Sequence, residues 1–421
     1  MTDYANISAN RINRASNGGM EIYLVGGAVR DELLGLPVTE RDWVVVGATP
    51  ADMINRGFKP VGNDFPVFLH PRNGEEYALA RTERKSGHGY QGFQFHAAPD
   101  VTLEQDLVRR DLTINAMARG ADGTLIDPHG GRRDLKARTL RHVSSAFTED
   151  PLRVLRVARF AARYHWLGFD IHPRTLALMA DIAHSRELSY LPPERIWKET
   201  QRALMEPSPG RFFTVLHHCA ALSEVMAEIA ALDGLPASPH QSPQRDALGQ
   251  VLECLTLAAQ QQLPLMARYA LLCHRLGQGP DGHGQPDDAA VAVRAFSEHL
   301  RVPKEMRETA AALARWQEQI DQALALSPTD LLRLLQGLDS LRRPQRLEPT
   351  LAAATVCHQV RRGDRQAPFP QAAYLHGAAQ KISAITGKTL LAKGLSGPAL
   401  GQALEEQRVQ ALTRYREEFT H

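Results

Sequence analysis

Strand-forming runs crowd the first third of the chain and all but stop near Asp150. Before that point, "EIYLVGG", "DWVVVG", "PVFLHP" and "EEYALARTE" are short β-rich runs separated by turn and helix signals, the texture of an α/β domain. After it, stretches such as "PLRVLRVARFAARYHWLGF" and "PERIWKETQRALM" carry apolar residues every three or four positions, as a helix with one buried face requires. A chain of 421 residues is too long for one core. The break therefore predicts a small α/β head followed by a long all-α body and tail. Pro- and Gly-rich breaks near 234–249, 277–288 and 361–371 divide the helical part. The expected segments are a disordered extension over 1–19, a head over 20–147, a helical neck over 148–205, a helical body over 206–285 and a helical tail over 286–421.

Composition narrows the function classes. The formal net charge is only +2, so a polyanion would have to be held by local basic patches and not by the overall field. Cys219, Cys254, Cys273 and Cys357 are far apart with no CxxC pair, which reads as buried thiols in a reducing, cytoplasmic compartment. No apolar run approaches the roughly 20 residues that span a bilayer, and the N-terminal stretch has no signal-peptide core. No membrane association and no obligate protein partner are expected.

The stretch "GGAVRDELLGLPVTERDW" (26–43) concentrates the chemistry. After the strand "IYLV", Gly26 and Gly27 let the backbone approach a ligand, and "AVRDELL" follows as a helix ending at Gly35. Such a turn offers N–H groups suited to phosphate, and Arg30 adds a charge within reach. By itself a glycine pair before a helix is more often a tight turn. Glu40 and Asp42 add weight, because at i and i+2 on a strand both carboxylates point to one face. Two hard oxygen ligands so placed suit Mg²⁺ and in-line phosphoryl transfer. The competing reading is a solvated strand edge, but "WVVV" takes the strand straight into a core.

"LVGGAVRDELLG" followed by "ERDWVVVG" resembles the class II CCA-adding enzymes, tRNA nucleotidyltransferases of the polymerase-β-like superfamily. The resemblance extends through "RTERKSG", "RRDLTINAMA", "DPHGGRRDL" and "FTEDPLRVLRVARFAARY", is dense from about 20 to 200 and thins beyond. It implies a polymerase-β-like nucleotidyltransferase head that adds CCA to tRNA 3′ ends from CTP and ATP without a template, releasing pyrophosphate. Glu40 and Asp42 would be the catalytic Mg²⁺ ligands, and Gly27, Arg30 and Arg110 would meet the nucleotide. The family more often has Asp at the first ligand; Glu40 lengthens that arm by one methylene. Asp111 and Asn115 are expected to brace the site, Arg109 to be an ordinary surface charge, and Glu76 to be either a third carboxylate or a strand-edge charge. "RTERKSGHGYQGF" (81–93) reads as a mobile loop.

"EDPLRVLRVAR" (149–159) carries the selectivity. Cytosine and adenine present an exocyclic amine where uracil and guanine present a carbonyl oxygen. A carboxylate accepts from the amine and repels the carbonyl, while a guanidinium donates to the neighbouring ring acceptor. Asp150 and Arg153, three apart, would thus admit C and A and refuse U and G, which is how the family uses its E-D-x-x-R motif. As a bare i,i+3 ion pair they would be worth only a few tenths of a kcal/mol. Arg156 and Arg159 continue the stripe and, by resemblance, reach the nucleotide, whereas Arg163 drifts round the helix and reads as solvated.

Many bacterial relatives carry a C-terminal HD phosphohydrolase domain with His and His-Asp metal ligands. Here "LLCHRLGQG" has Arg275 after His274, and Gln250 stands where an upstream His is expected. A cation in place of a carboxylate opposes a divalent ion there. His274 and His283 then read as core or surface residues, and the HD region as a degenerate helical scaffold. The tRNA acceptor end would be gripped through A-form shape and phosphates. The rival readings are a bacterial poly(A) polymerase, which usually carries a basic segment where this chain has "GNDFPVFLHP" (62–71), a catalytically idle RNA-binding protein and a signalling phosphohydrolase.

Overall fold

A computed structural model describes residues 19–61, 67–85, 93–237, 246–277, 285–391 and 395–420. The predicted 1–19 extension, apart from Gly19, lies outside the described residues, as do 62–66 of "GNDFPVFLHP", 86–92 of the predicted mobile loop, and His283. The chain divides into two compact units, Met1–Pro192 and Pro193–His421, described separately below.

The first unit holds all the strands described. Its elements are β1 (Glu21–Val25), α1 (Gly27–Leu33), β2 (Asp42–Val46), α2 (Pro50–Asn55), β3 (Lys59–Val61), β4 (Val67–Leu69), β5 (Glu76–Leu79), β6 (Thr82–Lys85), β7 (Phe93–His96), α3 (Leu103–Val108), β8 (Ala118–Arg119), β9 (Leu125–Ile126), α4 (Gly131–Lys136), β10 (Thr139–Leu140), α5 (Leu152–Tyr164), β11 (Asp170–Ile171) and α6 (Pro173–His184). Seven strands form one mixed sheet in the order β3-β4-β5-β2-β1-β8-β9, with β2 and β5 parallel and the other neighbours antiparallel. β6 and β7 pair antiparallel, so strands flank the glycine-rich "KSGHGYQG". β11 pairs parallel with β10, a short strand beyond the point where strand signals fade.

β2 shows why this sheet is two-sided. Successive side chains alternate faces, so Val44 packs with Val25, Leu103 and Leu107, while Val45 packs with Met53, Phe68 and Leu79. Asp42 falls on the Val44 face and Trp43 on the Val45 face, where Trp43 stacks on Tyr77 at 5.5 Å. The helices that cover the sheet start where capping boxes satisfy their first N–H groups. In α2, Thr49 and Asp52 bond reciprocally, with Pro50 opening the helix; in α3, Thr102 and Gln105 do the same.

The second unit is helical throughout its described residues: α7 (Pro193–Met205), α8 (Pro209–His218), α9 (Ala221–Val225), α10 (Ala227–Ala230), α11 (Ala247–Gln260), α12 (Leu265–Cys273), α13 (Pro286–His299), α14 (Lys304–Asp321), α15 (Pro328–Gly337), α16 (Leu347–Arg362), α17 (Pro370–Ser383), α18 (Lys388–Leu391) and α19 (Gly397–Thr420). Asp246 caps α11 by accepting from Gly249 N–H at 2.6 Å. α11, α12 and α16 pack against one another, and α14 packs on α12, α13 and α16. No helix among the described residues is long and apolar enough to cross a membrane.

Candidate active site

The site is built where β1, β2 and α3 meet the start of α1. Gly26 ends β1 with φ +68°, and a Cβ there would lie 2.9 Å from Arg110 Nη1. Glycine is favoured here by the backbone conformation, and its missing Cβ leaves room for the guanidinium without a shift of Arg110. Arg110 is held by Asp106, which accepts from its Nη2 at 3.1 Å, and it reaches Asn115 O at 3.5 Å. Asp106 also binds Arg109 Nη2 at 2.6 Å, so Arg109 is a paired charge, but part-buried at the end of α3 and not at a helix start, and it also donates to the Arg81 carbonyl.

Asp42 is the first residue of β2 and lies in register with Val25 on one side and Glu76 on the other. Partial desolvation raises its carboxyl above the ordinary value, Arg110 pulls it back, and the charge of Glu40 pushes it up again. Glu40 itself precedes β2 and is exposed, so the pair does not sit on one strand as the i,i+2 spacing suggested. The chain bends into the strand only at Asp42. Glu76 shares the Asp42 face of the sheet by strand alternation, yet no cluster of three close carboxylates forms among the described residues. The donor set suits a hard divalent ion: two carboxylates near enough to repel each other, one of them also partly desolvated, are both relieved by a bound positive charge.

Arg30 lies in α1, only 3% exposed. Its Nε and Nη2 each donate to Asp31 at 2.9 Å, and its Nη1 donates to Asn115 Oδ1 at 2.5 Å. The guanidinium also stands 5.2 Å from the ring centres of Phe160 and Tyr164 on α5. Burying a cation this deeply is tolerated because its charge-assisted bonds replace water. Asp31 in turn accepts from Tyr164 Oη at 2.9 Å and Arg163 Nη2 at 3.3 Å. Arg163, expected to be solvated, is therefore a partner of Asp31. Asp31 and Tyr164 were both missed from sequence; an acidic residue next to Arg30 and a tyrosine on the buried face of α5 were the available signals.

α5 supplies the remaining residues. Asp150 lies just outside it, half-buried, and caps the start by accepting from Leu152 N–H at 3.1 Å. Arg153, in the first turn, is buried and donates through Nη1 to Ala146 O at 2.6 Å. Arg156 donates through Nε and Nη2 to Asp111 Oδ2 at 2.9 and 2.8 Å. Burial alone would raise Asp111, but Arg156, Asn115 and Arg153 together hold it well below the carboxylate range. Arg159 is buried with its guanidinium 4.7 Å from the Phe160 ring centre. Asn115 ties the two halves together, donating to Asp111 at 2.9 Å while accepting from Arg30.

Residues 22–141 match the family model of the poly A polymerase head domain, and 168–232 match the probable RNA and SrmB-binding site of polymerase A. A protein of Alcanivorax borkumensis named multifunctional CCA protein is 54% identical over 406 residues, spanning 95% of this chain and 99% of that one. The chain belongs to the multifunctional CCA protein family. A further multifunctional CCA protein, from Thioalkalivibrio sulfidiphilus, is 51% identical over 95% of this chain and all of its own length. The fold is shared with the CCA-adding enzyme of Bacillus stearothermophilus solved in complex with CTP, at 22% identity and a TM-score of 0.64 over 94% of this chain and 89% of that one.

As in the sequence expectation, this CCA family member carries no carboxylate after His274. Arg275 stands there and donates to Pro236 O at 3.1 Å. Gln250 is 4% exposed with Oε1 lacking a hydrogen bond. The four cysteines are all buried thiols, but Cys254 and Cys357 are brought together with His274.

Proposed function

We propose that this chain adds C, C and A to the 3′ end of tRNA from CTP and ATP, without a nucleic-acid template. The observation that carries it is Asp42, whose proton affinity is raised chiefly by desolvation and further by Glu40 while Arg110 opposes the rise, in one unit with Asp150 and Arg153 at the head of α5. Nucleotidyl transfer by CCA-adding enzymes is metal-dependent. Glu40 and Asp42 would hold Mg²⁺, which when bound activates the terminal hydroxyl of tRNA and steadies the charge of departing pyrophosphate. Gly27 and Arg30 would meet the triphosphate, with Arg110, Arg156 and Arg159 as further cationic groups toward the bound nucleotide. Asp31 and Asp111 offset the mutual repulsion of these guanidiniums, and Asn115 links the two carboxylate–arginine pairs. Asp150 accepts from the exocyclic amine of cytosine or adenine and Arg153 donates to the adjacent ring acceptor, so the protein itself supplies the pairing information. The partners are the acceptor end of tRNA and the two nucleotides, and the setting is the cytoplasm, which fits four buried reduced thiols.

Incubation of tRNA lacking its CCA end with Mg²⁺ and each nucleotide, alone and combined, tests the reading. Ordered incorporation of two CMP and then one AMP is expected. Long A-tails would instead mark a poly(A) polymerase, and no incorporation an idle RNA-binding protein.

A further inference from the structure

Cys254 in α11, His274 at the end of α12 and Cys357 in α16 converge where those three helices pack. One ligand atom from each lies within 4.8 Å of the other two, the only such trio of His, Cys, Asp or Glu among the described residues. All three side chains are withdrawn from solvent, at 0%, 8% and 3% exposure respectively. Buried thiols usually serve as small apolar groups, as Cys219 does here. An imidazole facing two thiols in a dry core is a different object.

The ring of His274 is already oriented. Its Nδ1 is 2.6 Å from Leu271 O, and since a carbonyl only accepts, Nδ1 carries the hydrogen. In the neutral ring Nε2 then keeps its lone pair. A backbone carbonyl holding one ring nitrogen is the support that fixes the tautomer of metal-bound histidines. We propose that Cys254, His274 and Cys357 form a buried site for one thiophilic divalent ion, Zn²⁺, held by two thiolates and Nε2 with a water completing the tetrahedron.

Charge supports it. Arg275 and Arg361 both interact electrostatically with Cys357 and favour its thiolate, while Cys357 and burial push the Cys254 thiol up, so the second thiolate forms only as a bound cation displaces its proton. Arg275 opposes a divalent ion held by neutral or few anionic ligands. Two thiolates cancel the charge of Zn²⁺, so the guanidinium no longer faces a net cation. The site contains no carboxylate and differs in ligand chemistry from an HD centre. Its role is to pin α11, α12 and α16 together.

The test uses the full chain, purified reduced, stripped with a chelator and titrated with Co²⁺ as the spectroscopic probe. One equivalent should produce a thiolate-to-cobalt charge-transfer band with tetrahedral ligand-field bands, displaced by Zn²⁺, and Zn²⁺ should raise the melting temperature. Cys254→Ser and Cys357→Ser should each lower the charge-transfer intensity, because one of the two thiolates is removed, and the double variant should abolish it, while Cys219→Ser keeps it. His274→Gln should weaken affinity by about 10–100-fold, which keeps the test decisive if a serine variant does not fold. A folded, reduced wild type that gives no thiolate–cobalt band would overturn the proposal. So would bands of undiminished intensity in both serine variants, or a Cys254–Cys357 disulfide as the state in which the thiols are found.

Discussion

Asp42 carries a cost that its function explains. Its carboxyl is raised in the folded chain, so deprotonation is harder there than in the unfolded chain. Stability contributed at this position therefore falls as pH rises through the carboxylate range, and the penalty is fully present at neutral pH. Asp42→Asn should keep or raise the melting temperature of the metal-free protein at neutral pH. Incorporation should fall by more than about 100-fold, beyond the roughly 10–100-fold that loss of a mere supporting partner costs. In the wild type, metal affinity should drop as pH falls through the raised pKa of Asp42, at higher pH than an ordinary aspartate gives; calorimetric titration at several pH values reads this. The E-x-D pair was legible as spacing, but its geometry was not. Glu40 falls outside β2, since the chain between Gly35 and Asp42 follows no period that would mark the strand's first residue. Likewise the glycine pair was legible as a place of close approach. What approaches Gly26 in the structure is the guanidinium of Arg110.

At the scale of elements, α5 is locked onto α1 through one carboxylate. Asp31 joins Arg30, Arg163 and Tyr164, and its bond to Tyr164 crosses 133 positions of sequence. Periodicity identified α5 and its buried face, but a contact at that separation leaves no local signature. The same limit hid the meeting of Cys254 with Cys357, whose spacing resembles no metal motif. Asp31 and Arg30 are 7% and 3% exposed at the side chain, so removing the carboxylate strands a buried cation. Asp31→Ala should cost about 3–5 kcal/mol in a denaturant melt, the range for breaking a buried pair. Tyr164→Phe deletes one hydrogen bond and keeps the ring against Arg30, so about 1 kcal/mol is expected. Equal costs for the two variants would show that the Tyr164 hydroxyl bond accounts for all that Asp31 contributes and that its arginine partners add nothing.

Across the whole molecule, the loss of strand signal near Asp150 anticipated a mostly helical remainder, because helical and strand periods differ, but the short strand β11 follows it and the compact units divide only at Pro192–Pro193. If this region is the degenerate HD scaffold that the resemblance implies, Arg275 and Gln250 stand where a carboxylate and a histidine would be needed, and Arg275 instead donates to the Pro236 carbonyl. Metal-stimulated 2′,3′-cyclic phosphodiesterase activity should stay at background with any transition metal, including one bound by thiolates in the α11–α12–α16 core. Robust turnover would contradict this.

The proposed division of labour, in which Asp42 would serve every nucleotide alike and Asp150 would tell them apart, is most directly tested by kcat/KM for CTP, ATP, UTP and GTP. The measurement uses wild type and Asp150→Ala on tRNA lacking its CCA end. A base-reading contact is worth about 1–3 kcal/mol of discrimination, roughly 5- to 150-fold. The predicted result is a loss of that order in the preference for CTP and ATP over UTP and GTP, with incorporation retained. Unchanged discrimination in a folded Asp150→Ala variant would contradict it.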